Sequence, residues 1–186
     1  MLKKNLIALI ALISISTLSF SQDKYFTKTG KITFTSKAPL EDIEAKNKTA
    51  AAIIDTKTGA IQFSVLMKGF EFEKALMQEH FNENYVESDK YPKAEFKGTV
   101  TNNSTIDYKK DGTYPAIVKG QLTIHGVTKP VQAPGTIKVS NGTVEASSTF
   151  NIRLSDYNIA IPAVVKDKIS NNVKVVVDIK MDPYKG

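Results

Sequence analysis

A chain of 186 residues without cysteine or tryptophan has no disulfides and no thiolate metal ligands, and it is long enough to bury one sizeable core. Its formal charge of +6 is a mild excess spread without any lysine or arginine cluster, which argues against nucleic acid as a partner. No lipid-modified amino-terminal cysteine is available, so no stable membrane anchor is expected after removal of a leader.

That leader is the first element. Lys3 and Lys4 precede the apolar run Leu6–Ile13, and Ser19 and Ser21 supply small residues just before Gln22. This is the anatomy of a cleaved signal peptide over 1–21, followed by a single domain over 22–186. The apolar run is too short for a membrane span. The mature protein is expected to be periplasmic or secreted. Triplets for N-glycosylation occur at Asn47, Asn102, Asn103 and Asn141 and matter only if the secreting cell glycosylates.

Most of the chain beyond the leader alternates apolar and polar residues, the pattern of a strand with one dry face. In Tyr25–Ser36, Ile32 and Phe34 oppose Lys31, Thr33 and Thr35. Lys37–Lys48 carries Pro39 among charges and reads as a helical turn or an excursion. Thr49–Asp55 and Ala60–Lys68 flank the turn Asp55–Gly59, with Ile61, Phe63, Val65 and Met67 on one face. The stretch Ala75–Val100 changes period. Leu76, Met77, His80 and Phe81 follow the helical spacing of one buried face, with Glu71, Glu73 and Glu79 assigned to its wet side. After Tyr91-Pro92, Ala94, Phe96, Gly98 and Val100 alternate with Lys93, Glu95, Lys97 and Thr99.

Thr101–Tyr114 reads as a loop or frayed hairpin. Ala116–Gly126 sets Val118, Gly120, Leu122 and Ile124 against Lys119, Gln121, Thr123 and His125. Val131–Val139 and Thr143–Leu154 join at Asn141-Gly142, the strongest hairpin signal in the chain, and Phe150, Ile152 and Leu154 share the dry face of the second arm. Asn158–Ser170 contains Pro162 and breaks the pattern. Val173–Met181 ends the series with Val173, Val175, Val177 and Ile179 inward.

The fold class is therefore all-β and antiparallel, with about eight strands and one short helix near an opening. A sandwich and a barrel both suit such strands, and a barrel of this size is either filled by side chains or holds one small ligand. A membrane barrel is excluded because the outward face carries Lys93, Glu95, Lys97 and Lys119, at about 2–4 kcal/mol per lysine near mid-bilayer. The chemistry of a catalyst is missing. His80 and His125 stand far apart without a third ligand, so no metal is expected. There is no GxGxxG, no GxxxxGK[ST] and no GxSxG, so neither nucleotide cradling nor acyl transfer has support, and no cofactor or catalytic residue is assigned.

Three separated pieces carry a family resemblance: HFNENYVESDKYPKAEF (His80–Phe96), GQLTIHGVTKPV (Gly120–Val131) and STFNIRLSDYNIAIP (Ser148–Pro162). Their order and spacing resemble the YceI-like family over most of Gly30–Lys180. The resemblance implies an exported bacterial protein with a lipocalin-like barrel that holds a long isoprenoid or similar amphiphile, without enzymatic activity. His125 and Lys129 match the second motif. The family's histidine-serine pair and second histidine in the first strands are missing here, which implies an altered mouth half of the cavity, and with it a different ligand length and head group.

Inward phenylalanines are ordinary core in most β-proteins; the apolar helix residues favour a hollow, because a helix over a barrel mouth needs an apolar underside. The expected ligand-binding residues are Phe34, Phe63, Val65, Met67, Phe96, Leu122, Ile124, Phe150, Ile152, Val175 and Val177 along the tail, with Leu76, Met77 and Phe81 closing one end. Lys68 is the expected contact for an anionic head. The expected partner is a long-chain isoprenoid or fatty amphiphile, and a homodimer is left open. Two rival readings are a filled barrel acting as a secreted stress or interaction protein through its surface, and an enzyme on the same lipid using His80 or Asp156.

Overall fold

Alternation translates into nine strands. The computed structural model describes residues 23–184, so the expected signal peptide lies outside the described residues. The strands are β1 (Lys24–Lys37), β2 (Asp42–Asp55), β3 (Ala60–Leu66), β4 (Phe70–Phe72), β5 (Lys93–Val100), β6 (Gly112–Ile124), β7 (Val127–Ser140), β8 (Thr143–Arg153) and β9 (Asn172–Pro183). Eight of them form an antiparallel ring in the order β1-β9-β8-β7-β6-β5-β3-β2, closed by β1 pairing with β2. The short β4 adds itself to the same edge of β2 as β3, further along. It is the one strand beyond the expected eight.

The chain reverses where its turn residues say it should. Asn141 and Gly142 both adopt positive φ, 50° and 74°, the geometry that a two-residue hairpin between right-twisted strands needs. At the end of the barrel containing this turn the interior is solid. Ile54 on β2, Val144 on β8, and Ile179 and Met181 on β9 are almost wholly buried there, and the buried Ile61 on β3 and Ile137 on β7 form the floor between that end and the space above. The opposite end carries the helical segment and the loop between β8 and β9.

Three local expectations are corrected. Lys37–Lys48 is neither helix nor excursion: from Asp42 onward it is β2. Its inward set changes phase, from Ile43, Ala45 and Asn47 to Ala50, Ala52 and Ile54, across a register shift opposite Gly30. The polar member of that set is Asn47, which is fully buried. Its Nδ2 donates to the Leu66 carbonyl at 2.9 Å, and its Oδ1 accepts from the Thr49 amide at 2.8 Å. It thus satisfies the backbone where β3 breaks into the 3-10 turn Met67–Gly69. Such an asparagine is also no glycan acceptor in the folded protein.

The second correction concerns the carboxylates. Glu71 lies on β4 and Glu73 precedes the helix, so only Glu79 belongs to it. The third concerns His125. It is not on the wet face of a strand but in the β6–β7 turn, at φ 51°, with a side chain 11% exposed.

Candidate functional site

The hollow end of the barrel follows from side-chain size at one level of the wall. Cross-strand neighbours there are Phe34 with Val175, Phe150 with Val175, Phe63 with Phe96, and Phe96 with Leu122. All face inward, and all are only partly buried, because each borders open space on one side. Phe96 lies flat along its own wall. A Cβ placed on Gly98 or Gly120, which pair across β5 and β6, would stand 2.6 Å from the Phe96 ring. The two glycines thus give the ring a seat against the wall and keep it out of the middle.

What remains is a cavity of about 530 Å³, within the roughly 300–1,000 Å³ typical of ligand pockets. Native interiors rarely leave voids larger than a water molecule. Open to water at the mouth, the cavity's apolar lining remains wetted unless an apolar molecule covers it, and covering it is favourable by about 25 cal/mol per Å². A space of this kind calls for an occupant.

The mouth is capped by a helical segment, α1 (Ala75–His80), continued by a π-helical turn over Phe81–Tyr85. None of its residues is buried, and Leu76 is 60% exposed. The expected buried face is corrected accordingly: the apolar side of α1 overlooks the hollow and does not pack into a core. One ring anchors the cap. Phe81 lies 5.5 Å from Phe34, 5.7 Å from Phe70 and 5.0 Å from Phe72, measured between ring centroids. Across the mouth, Ile159, Val165 and Ile169 of the β8–β9 loop complete the lining, and the Leu40 amide donates to the Asp167 carbonyl at 2.9 Å. Partial desolvation pushes the Tyr85 hydroxyl up in pKa.

Charged groups sit at the rim. Glu41, Lys74, His80 and Lys168 border the cavity. Lys74 donates to Glu41 at 2.9 Å, and that hydrogen bond raises the pKa of its ammonium. A second tie holds the cap from behind. The His125 Nε2 is 2.7 Å from a Glu87 carboxylate oxygen, and its Nδ1 is 3.1 Å from the Tyr157 carbonyl. Glu87 and His125 both have positive φ, 44° and 51°, so two uncommon backbone conformations are joined by one contact. The loop behind the cap, the β6–β7 turn and the turn after β8 thereby meet at a single imidazole.

Comparison with known proteins fits this architecture. The YceI-like domain profile matches residues 14–181. The chain belongs to the YceI-like family. No curated protein matches it in sequence. Among solved structures it is similar to a polyisoprenoid binding domain from Saccharophagus degradans implicated in plant cell wall breakdown. That likeness has a TM-score of 0.76 and 14% identity, covering 87% of this chain and 99% of the other. It is also similar to Burkholderia cenocepacia BcnA, with a TM-score of 0.67, 18% identity, and 81% and 95% of the two chains covered. The YCEI protein of Campylobacter jejuni matches at 0.58, 17%, and 75% and 84%. At these identities the likenesses establish the fold.

In this YceI-like barrel every residue expected along the tail or at its end borders the cavity, from Phe34 on β1 to Val177 on β9, with Leu76, Met77 and Phe81 at the mouth. Others that border it were not anticipated, among them Ile43, Phe70, Phe72, Val131, Ile159 and Val165. Phe70 and Phe72 could have been found, since they alternate around Glu71 directly after Gly69; Ile159 and Val165 lie in an irregular loop with no period to read. Lys68 is corrected as a head-group contact: it pairs with Asp89 and does not border the cavity. His80 borders the mouth and Asp156 lies on the barrel's flank, so the two residues of the enzymatic reading do not share a site. The filled-barrel reading does not describe this interior. Among the described residues, no group of histidines and carboxylates is arranged to hold a metal.

Proposed function

We propose that this YceI-like protein binds one long apolar chain with a polar end, of isoprenoid or similar type, in the hollow half of the barrel. The observation that carries the reading is the 530 Å³ cavity walled by phenylalanine, valine, leucine and isoleucine beneath an apolar cap. The family membership and the polyisoprenoid binding domain among its structural likenesses support the ligand class. Each methylene moved out of water contributes roughly 0.8 kcal/mol, so a tail binds without special polar contacts, opposed by the ordering of the chain. The role is that of a carrier or holder. The amino-terminal leader reading places that role in the periplasm or outside the cell. Organic extraction of protein purified from its native host, followed by mass spectrometry, tests this: a repeatedly stoichiometric prenyl lipid supports it, and lipid-free protein that ignores added prenols overturns it.

A further inference from the structure

The barrel wall is incomplete on one flank. Strands β7 and β8 pair only from Gly135 with Ser148 down to Ser140 with Thr143. Beyond Gly135, towards the mouth, β7 continues to pair with β6, and β8 with β9, yet the two do not pair with each other. The sequence of β7 explains the separation. The Ser148 hydroxyl donates to the Pro134 carbonyl at 2.6 Å, so the backbone polar groups at position 134 face β8. In an antiparallel strand, alternate residues present their backbone groups to the same neighbour, which assigns 130, 132 and 134 to the β8 side. Pro130 and Pro134 have no amide hydrogen to offer there. Two of three donors are absent, and the ladder stops.

The opening is a bounded window. The Gly135–Ser148 pair closes it below, and the contact of His125 with Tyr157 closes it above. Val131 and Ile152 border both the window and the main cavity, so the two spaces adjoin through those side chains. Lys129 also lines the window. It is the cross-strand partner of the inward Leu122, yet its side chain is exposed and borders the window, not the main cavity. Arg153 lines the opposite side, and Asp156 is the carboxylate of the site. Among the described residues, Lys129 and Arg153 form no ion pair. At the mouth Lys74 is already engaged by Glu41, which leaves Lys168 as the rival cation there.

We propose that this window receives an anionic, oxygen-bearing head group of an amphiphile whose tail lies in the main cavity, with Lys129 and Arg153 as its cationic partners. The inference rests on the lipid-binding reading and adds to it where the head leaves the barrel. Two cations without ion pairs, beside the side chains of Val131 and Ile152 that the window shares with the apolar cavity, suit an acidic head better than a neutral one, because charge-assisted hydrogen bonds are about twice as strong as neutral ones.

The test compares geranylgeranyl phosphate with geranylgeraniol, which has the same tail and no charge, by displacement of an apolar fluorophore. The quantity read is the ratio of the two affinities in the wild-type protein, in Lys129→Gln, in Arg153→Gln, in the double variant of these two, and in Lys168→Gln as the mouth control. Wild type is expected to favour the phosphate, and each single substitution to lower the ratio by roughly tenfold. A ratio near unity in wild type, or one unmoved by the double variant, overturns the window while leaving tail binding intact. A ratio that falls in Lys168→Gln and not in Lys129→Gln puts the head at the mouth and also overturns it. Failure of both compounds to bind overturns the lipid reading itself.

Discussion

Phe81→Ala should release the cap without unfolding the barrel. The cap has no buried residue of its own; besides the His125–Glu87 tie and the Phe72 amide that donates to Gln78 Oε1 at 3.2 Å, its attachment rests on what Phe81 reaches. That ring meets three others, Phe34, Phe70 and Phe72, at 5.0–5.7 Å. Aromatic pairs are worth about 0.5–1.5 kcal/mol each beyond area burial, and a fully buried Phe→Ala change costs about 3–5 kcal/mol. Phe81 is only half-buried, and two of its partners also touch each other through Phe34, so their contributions do not simply add. About 2 kcal/mol of local stability is the expected loss. Amide hydrogen exchange reads this directly, since local opening and global unfolding are separable events. Exchange across residues 75–85 should accelerate roughly 30-fold, with the amides of β8 and β9 unaffected. Unchanged protection over 75–85 would refute the anchoring argument, and equal acceleration in every strand would show that the cap and the barrel unfold as one unit.

Asn47→Leu leaves the Leu66 carbonyl and the Thr49 amide without partners and should cost about 2–4 kcal/mol, measured by chemical denaturation; a loss under about 1 kcal/mol would contradict the role given to this residue. Val177→Phe adds bulk to the hollow and should reduce prenol capacity with little change in stability, whereas Ala52→Phe, at a position 2% exposed, should overpack the solid end and cost about 1–3 kcal/mol or more. Burial pushes the Tyr108 hydroxyl up to about 12. Its phenol is neutral when protonated, so the stabilisation is complete below the unfolded value near 10 and is lost as pH rises from there towards about 12. A spectrophotometric titration should therefore show a late-ionising tyrosine, and removing it with Tyr108→Phe should abolish that step.

The barrel was legible wherever a single alternation runs the length of a strand, as from Ala94 to Val100 or from Val173 to Ile179. It was illegible where the period shifts within a strand. In β2 the inward set slips at the register shift opposite Gly30, and a buried asparagine occupies one of its inward places. Sequence periodicity treats Asn47 as surface; only its two backbone partners explain why it is inside. The cavity wall was readable for a related reason, since strand parity assigns Phe34, Phe96 and Phe150 to the interior whether that interior is full or hollow. Parity does not say which. The hollow depends on Phe96 lying against Gly98 and Gly120, a contact between adjacent strands that no single segment reveals. Leu76 and Met77 could be marked as apolar and helical, but the same spacing serves a helix over a core and a helix over a void. The unpaired flank was written in Pro130 and Pro134, and the side of the strand they face became apparent only through the Ser148 contact.

Calorimetric titration of the protein with geraniol, farnesol and geranylgeraniol addresses the central claim most directly. If the hollow takes an apolar chain, one molecule should bind per barrel, with affinity rising at each added isoprene unit and a negative heat-capacity change from apolar burial. Affinity indifferent to chain length, or no saturable binding to any of the three, would contradict it.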